Sequence, residues 1–216
     1  MKLKTLTLAS ITSLALLQAA PQHHHGSTHH AKHSTCDYKA IQKQAKSPSE
    51  AINSLMHAPM MCTPWHESKN AEIDFLTNMI PHHKGAILSS KELLKHSKNE
   101  QLIHIAKQII SSQRKEIKEF KKILKTLKAD PSQNYQEFVT KAKADMDKMM
   151  KEMSAIKPTD NIDKDYMQAM IIHHQGAIDA SKQILEVSKN PKIQKIAHAI
   201  IKEQEDEIQK FKALLK

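Results

Sequence analysis

Two short stretches of this chain carry the same chemistry-bearing residues at the same spacing. Met79-Ile80-Pro81-His82-His83-Lys84-Gly85-Ala86-Ile87 and Met170-Ile171-Ile172-His173-His174-Gln175-Gly176-Ala177-Ile178 each set one thioether and two imidazoles in a largely apolar run, and they hold two of the chain's three glycines. With 3.6 residues per helical turn, positions three and four apart lie about 60° and 40° from each other around the axis, so the two histidines flank the direction of the methionine. Two imidazoles and a thioether make a mixed soft and borderline donor set, suited to copper in particular, with nickel or zinc reachable through the imidazoles. A hard cation would want carboxylates, which the motif lacks. A single buried histidine is more often a hydrogen-bonded core group, but duplication of the pair with its methionine favours metal ligation.

The elements that must position these residues are duplicated too. Residues 74–125 align without a gap onto 165–216, offset by 91 positions, with roughly half the positions identical. Each copy reads as two helices, the first over about 72–97 and the second over about 100–128 in the earlier copy. The breaks fall at Lys98-Asn99 and at Lys189-Asn190-Pro191. The second helix carries one apolar face, Ile105, Ile109, Ile110, Ile117, Phe120 and Leu124, repeated as Ile196, Ile200, Ile201, Ile208, Phe211 and Leu215. Short turns make each pair an antiparallel hairpin, and two amphipathic hairpins bury their stripes by facing each other. The expected fold is all-α: a four-helix bundle from two duplicated antiparallel helical hairpins, with a connecting helix over about 132–155 and a disordered His-rich N-terminal tail.

Counting back from the turn near Lys98 sets His83 opposite the neighbourhood of Arg114, which makes Gln113, Glu116 and Ile117 its neighbours on the returning helix; Gln204, Glu207 and Ile208 correspond. A carboxylate there would accept the second imidazole N–H and fix its tautomer. Glu116 and Glu207 as direct ligands remain the alternative. Gly85 and Gly176 lie inside helices, where glycine costs about 1 kcal/mol against alanine, and so point to close helix approach. Pro81 has no counterpart in the second copy, so the motif does not require a kink.

Composition bounds the rest. The 216 residues suffice for one core plus tails, and 4% aromatics with abundant Lys, Glu, Ile, Leu and Ala disfavour a β-rich fold. The net charge of +10 is spread among glutamates and includes a single arginine, Arg114, which argues against nucleic acid. Residues 1–20 read as a signal peptide: Lys2 and Lys4, an apolar run over 6–17, then Gln18-Ala19-Ala20. No later stretch is long enough to cross a bilayer, so the mature protein is expected to be exported, periplasmic or secreted, without stable membrane insertion. Residues 21–48 hold His23, His24, His25, His29, His30 and His33 without hydrophobic periodicity and read as the disordered tail. The remaining divisions are an irregular segment at 49–69, with a short helix at 49–56 and breaks at Pro59 and Pro64, hairpin repeats at 70–128 and 159–216, and the Met-rich connector at 129–158.

Soft donors recur outside the motif. Met146, Met149, Met150 and Met153 form one face of the connector, a pattern that also suits flexible core filling. Met56, His57, Met60, Met61, Cys62 and His66 cluster where regular periodicity is weak. Cys36 and Cys62 are enough for one disulfide or for soft metal ligation.

Export, the Met-x-x-His-His-x-Gly-Ala-Ile motif and a following helix with Gln-x-x-Glu-Ile together resemble the DUF-305 family, ferritin-like helical-bundle proteins that include copper-binding, copper-resistance proteins of the bacterial periplasm. The resemblance covers about 74–124 and 165–215. It implies a bundle that binds copper through Met79, His82, His83, Met170, His173 and His174. Where the family commonly has further bundle methionines, this chain holds Ser89 and Ala180, then Phe120 and Phe211.

The expected function is therefore an exported copper-binding protein for sequestration, resistance or transfer, using Met and His ligands for Cu(I) and Cu(II), with metal ions and a copper donor or acceptor protein as partners. The alternatives are nickel or zinc storage by the tail, a ferritin-like di-metal oxidase, and a helical interaction protein whose Met face docks a partner. The oxidase would use paired glutamates and Glu-x-x-His, and no Glu-x-x-His occurs. No catalytic constellation is found.

Overall fold

A computed structural model describes residues 36–159 and 161–216. The expected signal peptide and His23, His24, His25, His29, His30 and His33 lie outside the described residues. The protein is all-helical among those described: α1 Tyr38–Gln44, α2 Pro48–Met61, α3 Ala71–Leu93, α4 Glu100–Leu124, α5 Tyr135–Ser154, α6 Ile162–Val187 and α7 Pro191–Leu214.

Asparagines start the four long repeat helices. The side chains of Asn70, Asn99, Asn161 and Asn190 accept from the main-chain N–H groups of Ile73, Leu102, Lys164 and Lys192, satisfying donors that a helix N-terminus leaves free. The duplication extends one step further back than the aligned segment. Ser68 donates its N–H and hydroxyl to buried Asp74, and Thr159 does the same to buried Asp165.

The long helices α3 and α6 run antiparallel through the middle. His82 meets His173, Ser90 meets Tyr166 further along α3, and Glu72 at its start reaches Ser188 past the end of α6. Helix α4 folds back on α3 and α7 on α6, forming the two hairpins. Helix α5 does more than carry the chain between them: it packs on α6, as α2 packs on α3, so each copy is a three-helix unit. The core divides into two clusters. One gathers Ile52, Met56, Leu93, Leu102, Ile109, Tyr166, Met170 and Phe211; the other gathers Phe75, Leu76, Met79, Phe120, Ile184, Ile193 and Ile200. The motif histidines sit at the α3–α6 crossing between them.

Two boundaries differ from the sequence reading. Helix α2 runs through Pro59 to Met61 instead of ending near Met56, because burial of Ile52, Leu55, Met56, Ala58 and Pro59 outweighs the backbone bond that proline removes in the last turn. Residues 38–44, assigned to the tail, form α1. It is capped by Asp37, bonded through Gln42 to Glu92 at 2.7 Å, and tethered next to the Cys36–Cys62 disulfide.

The two motif glycines are used differently. A Cβ on Gly85 would press into the main-chain carbonyl of Met56, whereas one on Gly176 would meet the thioether of Met149. A main chain inside a packed helix yields less easily than the end of a methionine. Gly85→Ala is therefore expected to destabilise by about 1–3 kcal/mol, against the roughly 1 kcal/mol that alanine gains in a helix. Gly176→Ala should cost less, or nothing. Urea unfolding of both variants checks the order, and equal losses would contradict it.

Candidate metal centre

Helices α3 and α6 bury all six motif side chains, and His83, Met170, His173 and His174 have no exposed surface. The rings of His82 and His173 meet across the crossing with centroids 3.7 Å apart and planes inclined by 30°. Nε2 of His82 donates to the main-chain carbonyl of His173 at 3.0 Å. Nε2 of His83 donates to Glu116 on α4 at 2.9 Å, and Nε2 of His174 donates to Glu207 on α7 at 2.7 Å. Phe120 and Phe211 pack beside these two outer rings, their centroids 5.3 and 6.1 Å from those of His83 and His174.

These partners decide which nitrogen is free. A carbonyl or carboxylate oxygen only accepts, so Nε2 of His82, His83 and His174 carries a hydrogen, and the neutral form of each of these rings leaves Nδ1 with a bare lone pair. The Nδ1 atoms of His82, His83, His173 and His174 are all buried without a hydrogen-bond partner, and Nε2 of His173 lacks one as well. Leaving a buried polar atom unmet costs about 1–3 kcal/mol, so a layer of several is a standing expense to the fold. Burial, then the neighbouring imidazoles, hold His82 and His173 well below the usual histidine value. Burial thus favours the neutral form of these two rings.

The residues fit a soft ion of low coordination number. Among the described residues no group of three or more His, Cys, Asp or Glu side chains converges on a single point. A tetrahedral zinc or nickel site built from such groups is therefore not preformed, whereas imidazoles combined with Met79 or Met170 suit copper in its monovalent state.

Around this layer lie residues the sequence pointed to and some it did not. Gln113 and Gln204 are buried one turn before the two glutamates, each with an unpartnered Oε1. Glu203 escaped notice because its counterpart in the first copy is Ser112. It is partly buried on α7, and burial followed by the charges of Glu116 and Glu207 pushes its carboxyl upward, with Ser112 opposing. Its signal was the Ser112/Glu203 mismatch in the repeat alignment. His57 on α2 is half-buried with Nε2 unpartnered, and its charge would act on His173. Met149 approaches Gly176; with Met79, His82 and Met146 it lines a cavity of ≈ 50 Å³.

The remaining candidates divide. Met56 and Met153 are core residues. His66 is engaged by Asp74 at 2.8 Å. Cys62 is disulfide-bonded to Cys36, so the soft-thiolate alternative for this pair is corrected: neither sulfur is free in this form. Met60, Met61, Met146 and Met150 line a groove between α2 and α5.

The chain matches the model of the family described as "Domain of unknown function (DUF305)" over residues 13–124 and 72–215, and it belongs to that family. Over 53 residues it is 42% identical to the uncharacterized protein L153 of Acanthamoeba polyphaga mimivirus, a match spanning 24% of this chain and 35% of that protein. Two solved structures are similar. CopM in its Ag-bound form, obtained by soaking, is 25% identical with a TM-score of 0.50, over 66% of this chain and 93% of that one. A DUF305 fragment from Deinococcus radiodurans is 22% identical with a TM-score of 0.50, over 71% and 96%, and shares the helical fold.

The depressed histidines give the metal-free protein a pH dependence. The unfolded chain takes up protons below the ordinary value of 6.5, while His82 and His173 in the folded state resist them. The stability they confer is complete above that value and is lost as pH falls through the window beneath it, by up to ~1.4 kcal/mol per pH unit for each ring. Urea midpoints at pH 7, 6 and 5 should therefore decline. A flat profile would mean that the folded rings accept protons freely.

Proposed function

We propose that this DUF305 protein binds copper as Cu(I) in an exported compartment, holding it for sequestration or for transfer to an acceptor protein. The ligands are Met79, His82 and His83 on α3 and Met170, His173 and His174 on α6. The observation that carries the reading is the layer of four buried Nδ1 atoms without hydrogen-bond partners. Glu116 and Glu207 act behind the ligands, accepting from Nε2 of His83 and His174 and so orienting the two rings. The silver in the CopM structure supports a soft monovalent ion, since Ag(I) favours the same thioether and imidazole donors as Cu(I).

Export is supported by the Cys36–Cys62 disulfide, a bond that persists in oxidising compartments. No helix among the described residues is long and apolar enough to cross a membrane. Histidines of the tail would add sites for Cu(II), with nickel or zinc as weaker competitors.

Titration of metal-free protein with Cu(I) against a chromophoric chelator tests the reading. Wild type is expected to compete, and replacing His82, His83, His173 and His174 together by Gln should abolish the buried sites while far-UV circular dichroism stays helical. Unchanged stoichiometry and affinity in that variant would sink the proposal.

The glutamates supply a graded test. Glu116→Gln and Glu207→Gln keep an acceptor but remove charge and are expected to weaken Cu(I) binding about tenfold, whereas the leucine variants, which lose both, should approach a hundredfold. Equal affinity across the series would remove the two carboxylates from the site.

A further inference from the structure

Among the described residues, the methionines outside the repeated motif fall into two groups by burial. Met56, Met149, Met153 and Met167 are core residues, each at most 4% exposed. Met60 and Met61 on the last turn of α2, and Met146 and Met150 one turn apart on α5, are not. Met61 is 72% exposed, the exposed large hydrophobic side chain among the described residues. All four border one solvent-open groove of ≈ 330 Å³ between the two helices. Core filling accounts for a buried methionine. It accounts less well for four methionines from two helices that line one open groove, where Met61 is exposed and Met60, Met146 and Met150 are only partly buried against the core.

The groove also leads inward. Met146, Trp65 and Asn78 line both it and the narrower ≈ 50 Å³ cavity, whose wall includes Met149, Met79 and His82. Thioethers therefore run from the open groove to the first buried imidazole. The groove's charged residues suit a cation: Asp147 stands at the rim, and the ammonium of Lys143 is paired with Glu67.

We propose that this groove is a separate, surface metal site, in which Met60, Met61, Met146 and Met150 take a soft monovalent cation, Cu(I) or Ag(I), as an all-thioether ligand set and pass it by way of Met146 and Met149 to Met79 and His82. Neutral thioethers bind such ions and discriminate against zinc, nickel and hard divalent cations. The first part stands on the groove alone. The passage inward rests on the buried Met/His site proposed above.

The test uses Ag(I), which needs no reductant, and the full chain labelled with carbon-13 at the methionine methyl groups. The methyl signals of Met60, Met61, Met146 and Met150 are expected to shift with the earliest additions of Ag(I), and added Zn(II) should leave them in place. The variant carrying M60L, M61L, M146L and M150L, nearly volume-conserving changes, should bind one Ag(I) fewer. Its histidines should load more slowly by about tenfold, the change a barrier rise of roughly 1.4 kcal/mol produces. The variant lacking the four motif histidines should keep the groove methyl shifts while losing the buried equivalents.

If the four signals of wild type stay fixed while the motif residues respond, the groove is no site and the buried-site proposal survives. Groove shifts without any response at His82 or His173 would uphold the groove and overturn the passage inward. Should wild type bind no Ag(I), both readings fall. The labelled wild-type titration decides the groove even if the leucine variant fails to fold.

Discussion

The antiparallel contact of α3 and α6 at His82 and His173 is the constraint on which the rest of this structure depends. The ring centroids there are 3.7 Å apart, and Gly85 admits the main chain of α2 close by, so the helices are tightly packed at the crossing. The polar groups of these buried rings call for partners from the neighbouring helices. The outer helices meet part of that demand, α4 through Glu116 and α7 through Glu207. The Nδ1 atoms are left without partners. A sequence selected for stability alone would fill such a layer with leucine, so the bare nitrogens mark a place where stability has yielded to another requirement.

Duplication supplied the frame, and divergence of the two copies made its halves unequal. Glu207 is buried, whereas Glu116 is partly open, its side chain 17% exposed. Ser112 in one copy faces Glu203 in the other, which brings a third carboxylate near the pair. The largest difference lies in what covers the motif glycines: a main-chain carbonyl of α2 over Gly85, a thioether of α5 over Gly176. Because α5 brings a side chain where α2 brings backbone, the second copy sets the Met149 thioether against its motif glycine and the first sets a carbonyl there.

Much of this was legible in the chain because it depends on local rules. The motif spacing, the turns at Asn99 and Asn190 and the helical period fix which residues share a face, and counting from the turn set Glu116 opposite His83, where the two meet at 2.9 Å. What stayed hidden depends on contacts between distant segments. Nothing local shows that α5 packs on α6 as α2 does on α3, so the methionine face of α5 could not be divided into its buried members, Met149 and Met153, and its partly buried ones, Met146 and Met150. The same holds for α2, where Pro59 signals an end that tertiary burial overrides, and for α1, whose seven residues stand because a disulfide and Glu92 hold them.

Charge bears on the choice of ion as strongly as donor softness does. The desolvation cost of an ion rises steeply with its charge, and the histidine layer lies between two apolar clusters with no carboxylate in direct reach of an Nδ1 atom. The nearest compensation comes through the rings: one negative charge on Glu116 behind His83 and one on Glu207 behind His174. A monovalent ion in each copy would be balanced one for one. A divalent ion in each would bring twice the charge those carboxylates offset, into a space that also lacks a preformed tetrahedral cage. Two imidazoles and a thioether per copy, with Glu116 behind one set, Glu207 behind the other and Glu203 near both, form a soft donor set in keeping with the monovalent ion proposed above.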